Sequence, residues 1–163
     1  MAGLKFQGTV WTFGDNIDTD QINPGQYMDL PAEEASEHVF EAIAPEFSKE
    51  FKAGELIVAG NNFGCGSSRE TAPDVLKYVG AAAIVAESFG RIFFRNAVAI
   101  GLPVLVCPGI SAQTKGGDTL EVDIEAALVR NLTTNKEFKG ERLHEMMLNS
   151  LRKGGIMKLL SEG

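Results

Sequence analysis

The chain has 163 residues, is 44% hydrophobic and 23% charged, and carries a formal net charge of -7. That suits one ordinary globular domain over residues 1–163 with a core of its own, and excludes a disordered or fibrous chain. The acidic balance argues against a nucleic-acid surface, and apolar runs too short to span a bilayer argue against membrane insertion.

The opening MAGLKFQG lacks a long apolar run, so the expectation is a cytoplasmic protein without a secretion signal. FQGTVWTF (6–13) mixes β-branched and aromatic residues and reads as a strand. The polar, turn-rich stretch DNIDTDQINPGQYMDLP (15–31) follows and reads as a long functional loop. Residues 32–43 have helical composition, with Val39, Phe40 and Ile43 as the apolar face and Pro45 as the stop. ELIVA (55–59) is a short buried strand leading into the glycine-rich GNNFGCGSSRE (60–70). A helix is expected from about Pro73 to Val79, closed by Gly80, because the proline ring clashes inside a helix and disfavours helical geometry before it. AAIVA (82–86) is a strand, 89–100 a helix closed by Gly101, and 104–107 a strand between two prolines.

This alternation predicts parallel strands joined by crossover helices. The later chain differs: 119–124 and 128–133 pair as a hairpin after a Gly-Gly-Asp turn, and 140–151 form a helix with Leu143, Met146, Met147 and Leu151 on one face. Gly154-Gly155 breaks that helix before a short apolar tail at 156–160. The expected fold is therefore a three-layer α/β domain around a mixed, partly parallel sheet.

Chemistry concentrates in GNNFGCGSSRE. Gly64 and Gly66 allow tight turns that expose backbone N–H groups, and such groups near a helix start attract anions. Arg69 can grip a carboxylate with two parallel hydrogen bonds, and Ser67 and Ser68 precede it. Ser67 and Glu70 also have the spacing of a capping box, so a capped helix with Arg69 paired to a surface carboxylate is an equally available reading. Neither a phosphate-binding GxxxxGK[ST] loop nor a dinucleotide GxGxxG fingerprint is present. Asp15, Asp18 and Asp20 lack the glycine and distal glutamate of a calcium loop and read as turn residues. His38 and His144 fall on separate elements without ligand spacing, and Arg91 and Arg95, one helical turn apart, suit ion pairing or a site wall. No metal is expected on this chain. Its two cysteines, Cys65 and Cys107, read as reduced packing thiols and cannot by themselves hold an iron–sulfur cluster.

GNNFGCGSSRE, together with GDNIDTDQINPGQY (14–27) and ESFGRIFFRNAVAIGLPVL (87–105), resembles the small, swivelling domain of the aconitase superfamily, in the expected order and over nearly the whole chain. In stand-alone length it is similar to the small subunits of the 3-isopropylmalate dehydratase and homoaconitase type. The resemblance implies a hydro-lyase that removes and re-adds water on a 2-hydroxy dicarboxylate, active only with a large subunit that carries a [4Fe-4S] cluster. It implies that Ser67 is the general base, that Ser68 and Arg69 bind substrate, and that Asp20, with Thr19 beside it, positions an acid partner. Gly64 and Gly66 would add loop amides. The segment Tyr27, Met28, Asp29 and Leu30 falls where relatives choose their substrate. Met28 and Leu30 suit an alkyl group and Asp29, unless it is simply a solvated loop charge, would repel a further carboxylate, which favours an alkyl-substituted malate such as isopropylmalate, with a methylated malate of the 2,3-dimethylmalate kind close behind and citramalate or homoaconitate types as alternatives. Self-association is left open, and a non-catalytic anion-binding module is the alternative of another class.

Overall fold

The computed structural model describes residues 3–66 and 70–162. Its first half is a run of parallel strands: β1 (Lys5–Thr12), β2 (Leu56–Ala59), β3 (Ile84–Ala86) and β4 (Val104–Val106). β2 and β3 consist of apolar, largely β-branched residues and are buried at every position, which means both faces of the sheet are covered there. α4 (Thr71–Tyr78) connects β2 to β3, and α5 (Arg91–Ile100) connects β3 to β4. α5 buries Phe93, Ala97 and Val98 on one face and ends at Gly101 in the left-handed conformation.

The second half is an antiparallel meander, β5 (Thr119–Asp123), β6 (Leu128–Asn131) and β7 (Lys136–Lys139), joined to the parallel half by antiparallel pairing of β5 with β1. The result is one seven-stranded mixed sheet in the order β4-β3-β2-β1-β5-β6-β7. The sheet curls: just past β7, the N–H of Glu141 donates to the carbonyl of Val106 on β4 at 2.8 Å, so the two outermost strands meet at one point. α6 (Glu145–Lys153) and α7 (Ile156–Glu162) then pack with α5. Among the described residues no helix is long and apolar enough to cross a membrane.

Several elements depart from the sequence reading. The segment 32–43 is not one helix but α2 (Ala32–Ala35), a 3₁₀ turn Ser36–His38 and irregular backbone, with the short α3 (Phe47–Glu50) after it. Phe40 takes φ 57° there and buries its ring against Phe13, with centroids 4.2 Å apart, while Ile43 remains 38% exposed. Burying one aromatic ring outweighs continuing the helix. α4 begins at Thr71, so Pro73 is its third residue. The N–H that proline lacks is one that a first turn leaves unpaired. α6 begins at Glu145 instead of 140, because Gly140 and Glu141 are held by the carbonyls of Ala127 and Val106. His144 caps α6, its Nδ1 accepting from Met146 N–H, and Met146 stands 67% exposed instead of in the core. β7 was not foreseen, and the apolar tail is helical.

Candidate active site

Three loops meet beyond the carboxyl ends of β1, β2 and β3, where open α/β sheets place their ligands. Two of them begin alike, Gly14-Asp15-Asn16 and Gly60-Asn61-Asn62. Asn16 and Asn62 both adopt left-handed backbone, φ 57° and 63°, which asparagine tolerates better than most residues. Their side chains join, Asn62 Nδ2 donating to Asn16 Oδ1 at 3.2 Å. Backbone bonds lace the two loops further. Asn16 N–H donates to Asn61 O, Gly64 N–H to Ile17 O, and Thr19 N–H to Cys65 O, at 2.7, 2.6 and 2.9 Å. Asp15 Oδ1 accepts from Asn61 N–H. The third loop closes the other side. Phe63 N–H donates to Ser88 O, Gly90 N–H to Phe63 O, and Ser88 Oγ accepts from Asn62 N–H.

This lacing positions the predicted residues. Asp18 caps α1 (Thr19–Ile22) through a full capping box, its Oδ1 accepting from Gln21 N–H while Gln21 Oε1 accepts from Asp18 N–H. The cap turns Thr19 inward and Asp20 outward. One Asp20 carboxylate oxygen accepts from Gly25 N–H at 2.8 Å, tying the loop aspartate to the next turn. Gly66 is exposed beside this cap, and a Cβ built on it would come 3.4 Å from Asp18 Cβ and 3.8 Å from Thr19 Oγ1. Ser67, Ser68 and Arg69 lie outside the described residues, between Gly66 and the residue before α4.

Gly64 has a different task from the one its sequence suggests. Its N–H is committed to Ile17, and it is buried with φ 80° where a Cβ would stand 2.3 Å from Phe93 Cγ. Its missing side chain lets the loop lie directly on α5. The substrate-choice segment forms a 3₁₀ turn, Gly25–Tyr27, followed by Met28, Asp29 and Leu30 on the surface. Met28 is 40% and Leu30 38% exposed. Tyr27 stacks on His38 with centroids 3.7 Å apart and planes at 10°, and His38 Nδ1 pairs with Glu41 Oε1 at 2.9 Å.

Arg91 and Arg95 are exposed on α5. Burial first, then the Asp18 carboxylate, raises the Cys65 thiol; burial and then Glu87 push Cys107 up to about 11. Two thiols are too few for a cluster held by cysteine thiolates, and among the described residues no three His, Cys, Asp or Glu side chains gather for a metal. The residues described in this chain therefore do not fit a [4Fe-4S] cluster. Sequence reasoning missed the Asn16–Asn62 joint and Ser88. The repeated Gly-x-Asn opening of the two loops was the signal for the first; Ser88 acts on Asn62, 26 residues away, and leaves no local pattern.

A curled mixed sheet with helices packed on it and loops laced together at its strand ends is an α/β domain of the mixed-sheet class. The chain belongs to the aconitase C-terminal domain family, whose model matches residues 6–108. The 3-isopropylmalate dehydratase small subunit of Aquifex aeolicus is 47% identical over 98% of this chain and 96% of its own length. The methanogen homoaconitase small subunit of Methanothermobacter thermautotrophicus is 46% identical over 96% of this chain and 91% of its own length. The crystal structure of 3-isopropylmalate dehydratase from Methanocaldococcus jannaschii superposes with a TM-score of 0.91 at 38% identity, covering 97% of this chain and 94% of that one.

Proposed function

We propose that this chain is the small subunit of a cytoplasmic hydro-lyase that dehydrates and rehydrates a 2-hydroxy dicarboxylate of the isopropylmalate kind. It acts with a large subunit that carries the [4Fe-4S] cluster. The observation that carries the reading is the interlock of the two motif loops, which sets Asp18 and Thr19 beside Gly66, the residue leading into Ser67, with Asp20 following Thr19 on α1. The cluster, held by the partner, supplies the Lewis acid; this chain supplies the proton chemistry and the grip on the diacid.

Ser67 takes the proton from the carbon next to the carbinol and later returns it. A C–H proton beside a carboxylate is a weak acid, so such a base must be accurately placed, and fixed cations must meet the charge that develops. Arg69 holds one substrate carboxylate with two parallel hydrogen bonds, and Ser68 adds a third contact. Asp20 positions the acid contributed by the large subunit and anchors the turn that carries the substrate-choice segment. Exposed Met28 and Leu30 offer that segment an apolar surface, and exposed Asp29 disfavours a substrate with a further carboxylate.

Anaerobic reconstitution with a large subunit tests this, with alkene absorbance followed across malates whose side groups run from methyl to carboxymethylene. Isopropylmalate is expected to turn over best, and turnover is expected to require this chain. Ser67→Ala lowers kcat by about 10²–10⁴-fold with subunit affinity kept. Arg69→Lys raises KM, because a lysine cannot make the paired contact. Activity that is independent of this chain would leave only an anion-binding module.

A further inference from the structure

We infer that His38 is the positioning residue of the substrate-choice segment: its ring clamps Tyr27 and thereby fixes Met28 and Leu30 where the substrate's side group is read. The inference rests on the function proposed above and adds a residue to it. The segment's own bonds are local. Tyr27 N–H donates to Pro24 O, Met28 N–H to Gly25 O and Leu30 N–H to Tyr27 O, which fixes its shape but not its place on the molecule. Its place is set at the start by the Asp20 carboxylate on Gly25 N–H, and in the middle by the Tyr27–His38 stack.

That stack has a firm base. His38 ends the 3₁₀ turn after α2, where the Ser36 hydroxyl donates to Glu33 O. The next two residues, Val39 and Phe40, are fully buried, and Phe40 N–H donates to Ile22 O at the end of α1. Glu41 pairs with Nδ1 and holds the imidazole in the plane that the phenol covers. Thus one ring anchored through Phe40 in the core supports a ring on the exposed loop. Met28 and Leu30 follow Tyr27 directly, so the clamp acts on the two apolar side chains that distinguish an alkyl from a carboxylate side group.

The test has two arms. In the full chain alone, amide exchange at Met28 and Leu30 is compared for wild type, His38→Ala and His38→Phe. Losing the stack is expected to speed exchange about 3–10-fold in His38→Ala, with β2 amides unchanged, and His38→Phe is expected to stay near wild type because an aromatic pair is restored. Unchanged exchange in His38→Ala, or equal loosening in both variants, overturns the clamp. In the reconstituted enzyme, His38→Ala is expected to raise KM for isopropylmalate about 3–10-fold with kcat nearly constant, and His38→Phe to restore it. A loosened loop with unaltered KM overturns the role in substrate choice. A wild-type pair that turns over no hydroxy diacid overturns the proposed function instead, while the exchange arm still decides the clamp.

Discussion

At Gly64 the absence of one methyl group sets the distance between a loop and a helix. An alanine there would place Cβ 2.3 Å from the Phe93 ring and would also have to accept φ 80°. Backbone strain of this kind costs about 1–3 kcal/mol, and overpacking adds to it. Gly64→Ala is therefore expected to lower the urea midpoint of unfolding clearly, and to lower activity in the reconstituted enzyme, since the same loop carries Gly66. An unchanged midpoint would mean that Phe93 moves aside freely. The sequence marked this glycine as special but for another reason, as a donor to an anion. Its N–H goes to Ile17, and no local pattern reveals a partner on a different loop. Asp18 was the opposite case, because its capping box lies within four residues and the turn reading of that aspartate followed from local chemistry.

Elements are held to one another by a few polar contacts at their ends, and the part-buried Glu87 is the clearest. It leaves β3 and reaches the loop after β4, where its carboxylate accepts from Gly109 N–H, Ser111 N–H and the Ser111 hydroxyl, each at 2.8 Å. Burial alone would raise its pKa, but these three donors outweigh burial and hold the carboxyl below the ordinary range. A carboxyl depressed in the folded state stabilises fully above its unfolded pKa, about 4.3, and loses that contribution as pH falls through the folded value. The wild-type midpoint of denaturation is thus expected to fall as pH drops below about 4.3, and Glu87→Gln to show a flatter profile over that window. Parallel profiles would show that the contacts do not bias the titration. The strands of the parallel half were legible because β-branched apolar runs between glycines and prolines have few alternatives, whereas 32–43 was not. Helical composition there competes with the burial of Phe40 on Phe13, a contact between distant segments. β7, short, charged and lying at the sheet's edge, carries almost no periodic signal.

The whole molecule joins two halves with different tasks: parallel strands whose ends present the site, and an antiparallel meander that completes the sheet away from it. The sequence distinguished these halves by the change from alternating helices and strands to a hairpin, but the curl that brings β7 round to β4 depends on one close approach. A Cβ on Gly140 would meet Val106 O at 2.8 Å and the Leu105 side chain at 3.0 Å, while Gly140 N–H donates to Ala127 O and Glu141 N–H to Val106 O. Gly140→Val must push the two outermost strands apart, because Leu105 is fully buried and has no room to retreat. Overpacking of this kind costs about 1–3 kcal/mol. The expected result is a lower Tm and faster amide exchange at Glu141. The kcat of the reconstituted enzyme should stay close to wild type, since the laced loops hang from β1, β2 and β3. If kcat fell together with Tm, the closure of the sheet would be part of what shapes the site, and the meander would be more than a support.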